Sequence, residues 1–168
     1  WMLAALMAGG SIAAQEPVVI NRLTEEVNFD GKPEEAAWNA ASQFSLTMFS
    51  PTSGIDPTEK SDVYVGYDKG YLWIGARLYT RDAATISATS MKRDELSHSS
   101  DAFGIVLDTY DDNENALAFF TMPTGARIDY SIANDGVMVN TGGGFDPSSG
   151  PMNMSWNTFW DVKTSRDE

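Results

Sequence analysis

The chain has 168 residues, with 11 Lys and Arg against 24 Asp and Glu, a formal net charge of −13, one His and no Cys. That length fits one domain, and 42% hydrophobic with 21% charged residues is ordinary for a globular chain, which excludes wholesale disorder. The missing Cys excludes disulfides and Cys-built zinc sites, the single His98 excludes multi-His metal centres, and the acidity excludes nucleic acid and anionic membranes as partners.

Residues 1–15, WMLAALMAGGSIAAQ, carry no charge. Met2 to Ala8 is apolar, Gly9-Gly10 breaks the run, and the small residues Ser11 to Ala14 follow. This is the pattern of the apolar region and cleavage site of a secretory signal peptide. No positive region precedes it and the chain opens on Trp1, so the signal reads as cut short at its start. A buried N-terminal helix is the competing reading. The run is too short to span a bilayer, which takes ~20 apolar residues. The expectation is an exported protein, in the periplasm, at the outer membrane or outside the cell. Residues 16–168 then form the mature domain, and without Cys it is held by core packing alone.

Val18 to Leu23 is a short apolar strand candidate. Asn28 to Pro33 is a turn, because Asp30-Gly31 permits positive φ, and Glu34 to Ala41 follows as a short helix. Phe44 to Met48 alternates like a strand, and Ser50 to Glu59 is a loop. Val63, Val65 and Tyr67 alternate with Tyr64 and Gly66, Asp68-Lys69-Gly70 turns, and Leu72, Ile74, Ala76 and Leu78 form one apolar face: a β-hairpin. Ala102 to Asp108 is a third strand of this region. Asp111 to Asn115 turns, Ala116 to Thr121 returns, Pro123 to Gly125 turns, and Ala126 to Ile132 runs back with Ile128, Tyr130 and Ile132 inward. Asn134 to Gly150 is a long Gly- and Asn-rich loop, and Asn157 to Thr164 is a last strand. Short strands at regular spacing with one short helix predict an all-β fold, an antiparallel β-sandwich. A polar end without a partner for the last strand suggests that the sandwich continues past Glu168.

The order of these motifs is recognisable. "NFDGKPEEAAWNAA", "SDVYVGYDKGYLWIGARLY", "SDAFGIVLDTYDD", "MPTGARIDYSIANDG" and "WNTFWDVKT" together resemble a family 9 carbohydrate-binding module. They are most similar to the version that opens exported bacterial proteins with a following outer-membrane-type β-barrel region. The resemblance implies a jelly-roll-like sandwich, a saccharide ligand, carbohydrate catabolism through a fused partner domain, and a membrane β-barrel as the neighbouring domain of the same chain. Sugar-binding members resemble a clamp of two Trp side chains. At the first clamp position this chain reads Arg93 to Asp101, with His98 as its one aromatic.

Sugar binding needs flat aromatic faces beside forked donors and acceptors. Trp156 and Trp160, four apart beside the long polar loop, are the stacking candidates, with core packing as the competing reading. Arg93, Asp94, His98 and Asp101 precede a strand and are candidates for ligand contact, against a solvated, self-paired loop. With Ile128 inward, Arg127 and Asp129 point outward as a candidate hydroxyl-binding pair, against a solvated ion pair. Gly104 permits close approach of a ligand or backbone. Trp38 reads as core and Trp73 as packing on the opposite surface. Asp108, Asp111, Asp112 and Asn113 concentrate oxygen ligands and are candidates for a calcium ion, which takes six to eight oxygens. An acidic tip that keeps the edge soluble is the other reading of that segment.

Glycoside hydrolysis needs two carboxyl groups about 5–9.5 Å apart, one in an apolar pocket. Here the acids fall in turns and loops rather than on inward strand positions. A Ser-His-Asp set would need His98, which lacks a nucleophile-elbow motif. The chain reads as non-catalytic by itself, although modules of the resembled family are often fused to glycosidases.

Overall fold

A computed structural model of the chain describes residues 18–49, 51–95, 99–136 and 151–167. The expected signal segment and His98 lie outside these residues, as does most of the expected loop from Asn134 to Gly150. The fold is all-β, with two four-stranded sheets and three 3-10 turns among the described residues.

The first sheet is built on β3 (Ser61–Tyr67). β4 (Leu72–Leu78) runs antiparallel along one edge of it over its full length, from Ser61↔Leu78 to Tyr67↔Leu72. The other edge is shared. β2 (Ser42–Phe44) pairs antiparallel with Val63 to Val65, and β1 (Asn21–Arg22) pairs parallel with Gly66 and Tyr67. The turn is held by Asp68, whose carboxylate accepts the N–H groups of Gly70 (2.7 Å), Tyr71 (2.8 Å) and the Trp73 indole (2.8 Å). That indole bond fixes Trp73 as a packing residue, half-buried against Phe29 and Tyr71.

Residues 23–38 cover the face of this sheet that carries Gly66 and Gly75, while Val63 is buried on the opposite face. A Cβ on Gly66 would meet Leu23 at 2.6 Å, and one on Gly75 would meet Pro33 at 2.8 Å and Trp38 at 3.0 Å. The missing side chains let residues 23–38 lie flat on the strands. Trp38 is core as expected, buried on the 3-10 turn Ala36–Ala40 with its indole N–H on Glu35 (2.8 Å). The helix of Glu34 to Ala41 is therefore one short 3-10 turn. The Leu72–Ile74–Ala76–Leu78 face leaves Leu72 and Leu78 about half exposed. Alternation found the face correctly but overstated its burial.

The second sheet runs β5-β6-β7-β8, all antiparallel, from β5 (Phe103–Leu107), β6 (Ala116–Thr121), β7 (Arg127–Ile132) and β8 (Met152–Asn153). One face carries the core: Ala118, Ile128 and Tyr130 with Met122 and Ala126, joined by Phe120, Ile132 and Met154. Phe120 lies over Gly104, where a Cβ would stand 2.2 Å from its ring, and stacks on Tyr130 at 5.9 Å. Gly104 thus makes room for an aromatic ring of its own sheet, not for a ligand. The opposite face carries Phe119, Arg127 and Asp129.

Asn157 to Thr164 is not a strand. The last ladder is the two-residue β8, registered Ser131↔Asn153 and Ile132↔Met152. Beyond it the Thr158 N–H goes to the Asp129 carboxylate and the Trp160 carbonyl to Arg127, and the segment reaches on to the first sheet. Thr164 donates its hydroxyl to Pro123 O (3.3 Å), Ser165 donates to Gly31 O (2.9 Å), and Asp167 meets Arg77 (2.7 Å).

Candidate functional site

Six of the eight residues singled out for saccharide contact converge on the Asp129 face of the second sheet. The register places Phe119 opposite Asp129 and Thr121 opposite Arg127, all on one face. Alternation along β7 therefore assigns Arg127 and Asp129 to the right side of the sheet. That side is not open to water at Asp129, which is 0% exposed.

Asp129 is covered by the loop before β5 and by the C-terminal segment. Arg93 Nη2 donates to Asp129 Oδ1 and also to Asn157 Oδ1 (2.9 Å), while its Nε donates to Asp94 Oδ2 (3.2 Å). The second Asp129 oxygen accepts the Thr158 N–H at 3.0 Å. Both oxygens are satisfied, as a buried carboxylate requires. The expected Arg127–Asp129 pair does not form. Arg127 instead donates to Trp160 O and Asp161 Oδ1 (3.2 Å), with its guanidinium 5.9 Å from the Trp160 ring.

The aromatic half of the cluster comes from the C-terminal segment. Trp156 and Trp160 both meet Phe119 edge-on, at 6.1 Å and 75° and at 5.4 Å and 77°. Both are half-buried, so their surface is divided between packing and solvent. Phe159 between them points fully into solvent. Asp94 takes positive φ (57°), a conformation that Asp tolerates, and its N–H bonds Arg127 O (3.0 Å). Two buried polar atoms here have no partner among the described residues: the acceptor Asp94 Oδ1 and the donor Trp160 Nε1.

Asp101 lies apart from this cluster. Its carboxylate accepts the Ser87 N–H (2.8 Å) and its own N–H returns to Ser87 O (2.9 Å), which pins the segment before β5. The acidic tip is built as a turn. Asp108 accepts the N–H groups of Tyr110 (3.1 Å) and Asn113 (2.9 Å), and Asp112 accepts those of Glu114 (2.9 Å) and Asn115 (2.7 Å). Asp111 and Asn113 take positive φ to close it. The Asn113 N–H foremost holds Asp108 below the ordinary carboxylate range, and the Asn115 side chain does the same for Asp112. Among the described residues no group of three or more acidic or His side chains converges as a metal site.

Acids do occur at buried strand positions, contrary to the expectation that they keep to turns. Asp129 is one and Asp62 on β3 is the other. Phe119, Asn157 and Thr158 complete the cluster and were not anticipated. Asn157 and Thr158 directly follow a candidate tryptophan, but they read as strand residues because their polar partners are distant in sequence. The chain matches no protein-family model, no curated protein and no solved structure.

Proposed function

We propose that this chain is a non-catalytic, saccharide-binding domain of an exported bacterial envelope protein, in which the two sheets form a sandwich of the family 9 carbohydrate-binding type. The observation that carries the reading is the cluster itself. Two half-buried tryptophans stand against Phe119 beside Arg93, Asn157 and Asp94. Aromatic faces cover the apolar side of a pyranose, and adjacent guanidinium, amide and carboxylate groups hydrogen-bond its hydroxyls. A neutral ligand also suits a protein of net charge −13.

The test is a titration of the chain with gluco-, xylo- and peptidoglycan-derived oligosaccharides followed by tryptophan fluorescence. A saturable change is expected, and Trp156→Ala weakens it at least about tenfold with an unchanged circular dichroism spectrum. No change across the whole set overturns the reading.

A second reading is a structural domain docked on an outer-membrane-type barrel, its sugar binding lost. It is favoured by the half-exposed Leu72 and Leu78 and by the lack of a clamp tryptophan between Arg93 and Asp101. Alternating ten-residue strands in the gene downstream of Glu168 would support it.

A further inference from the structure

A groove of about 680 Å³ opens on the first sheet, lined among others by Gln43, Leu46, Thr58, Lys60, Asp62 and Tyr79. None of these residues belongs to the tryptophan cluster. Asp62 is the unusual member. It is a strand residue whose side chain is only 10% exposed. Its Oδ2 accepts both the Lys60 ammonium (2.7 Å) and the Tyr79 hydroxyl (3.1 Å). Its Oδ1 accepts no hydrogen bond from the described residues, yet it is not one of the sealed, unpartnered atoms. One oxygen of a buried carboxylate is therefore left for a donor that enters the groove. The hydrogen bond from Lys60, joined by that from Tyr79, holds Asp62 below the ordinary carboxylate range, so this acceptor is charged at neutral pH.

The surrounding charges select the class of donor. A cationic ligand would approach Asp62 beside the Lys60 ammonium that already neutralises it, with Arg81 also lining the groove. An anionic ligand would meet Asp62, Glu59 and Asp56. A neutral ligand that both donates and accepts meets neither repulsion. Lys60 keeps two further N–H donors, and the exposed Gln43 amide supplies both a donor and an acceptor.

We propose that this groove is a second binding site that takes a neutral, hydroxyl-rich ligand of the saccharide class. One ligand hydroxyl donates to Asp62 Oδ1, and its neighbour accepts from Lys60 or Gln43. The site stands independently of the tryptophan cluster.

The experiment is an amide chemical-shift titration of the isotope-labelled 168-residue chain with cellopentaose, xylopentaose and a chitin pentamer. Saturable shifts are expected at residues 43–46, 56–62 and 79–81. Asp62→Asn should weaken them at least about tenfold, the loss expected for a hydrogen bond to a charged group. Gln43→Ala, at an exposed position, tests the same groove should Asp62→Asn fail to fold. The proposal is overturned if no probe moves these amides, or if the shifts survive substitution unweakened. Shifts at 93–94, 127–129 and 156–161 report the tryptophan cluster separately, so failure of one site is distinguishable from failure of the other.

Discussion

Asp129 is sealed from water between a guanidinium from one loop and a backbone N–H from the C-terminal segment. Truncation to Ala removes the acceptor for both donors and opens a small cavity. Arg93 keeps 37% of its side chain exposed to water, which limits the loss, so Asp129→Ala should destabilise by about 2–4 kcal/mol. Asp129→Asn keeps the shape and one acceptor and should cost less. Urea denaturation of the two variants checks this ordering, and a loss below ~1 kcal/mol for the Ala variant would mean that water replaces the carboxylate freely. Gly104 sets a second constraint of the same scale. A methyl group there would stand 2.2 Å from Phe120, whose ring is stacked on Tyr130. Gly104→Ala should therefore destabilise by about 1–3 kcal/mol through overpacking. Adding Phe120→Leu should recover part of that loss, whereas a merely conformational effect of the glycine would leave it unchanged.

Besides Asp62 on β3, the carboxylates held low lie in turns, and these make the turns sensitive to pH. Asp68, Asp108 and Asp112 each accept several N–H groups, and each is held below the ordinary carboxylate value. A depressed folded pKa stabilises the fold above the unfolded value of about 4, and that contribution disappears as pH falls through the folded value. Melting temperature should be flat from pH 7 to 5 and drop below pH 4, and Asp108→Asn should flatten the drop. Such an Asx turn is legible in a sequence because its donors and acceptor are neighbours. The same locality made the β3–β4 hairpin and the β5-β6-β7 meander readable, with β6 found to the residue and β5 and β7 to within one. What the chain order hides is contact between distant segments. The parallel pairing of β1 rests on β3, some 45 residues on. Phe120 on Gly104, and the burial of Asp129, depend on which segment covers a sheet face. Alternation names the face and is silent on its cover. The tryptophan cluster was therefore legible as a set of residue types, while its internal pairing was not.

At the scale of the molecule, the segment from Trp156 to Asp167 makes contact with both sheets. Its contacts differ in strength. Arg77 with Asp167 and Lys32 with Asp167 are exposed ion pairs, of which each contributes at most about 1 kcal/mol. The Thr158 N–H on the buried Asp129, and two tryptophan edges on Phe119, exclude water and hold far more firmly. Docking of the segment should therefore be controlled at Asp129, not at its charged end. A double-mutant cycle separates these possibilities. Thr158→Pro removes the N–H that Asp129 accepts without removing the segment. On that background Asp129→Ala should cost about 1 kcal/mol less than it costs alone, because one of its two partners is already gone. Arg77→Ala should couple to either variant by less, since its exposed pair with Asp167 contributes at most about 1 kcal/mol. Measured by urea denaturation, full additivity of Thr158→Pro with Asp129→Ala would show the segment to be undocked at Asp129 in solution. The tryptophan cluster would then lose the contact that brings Trp156 and Trp160 to Arg93.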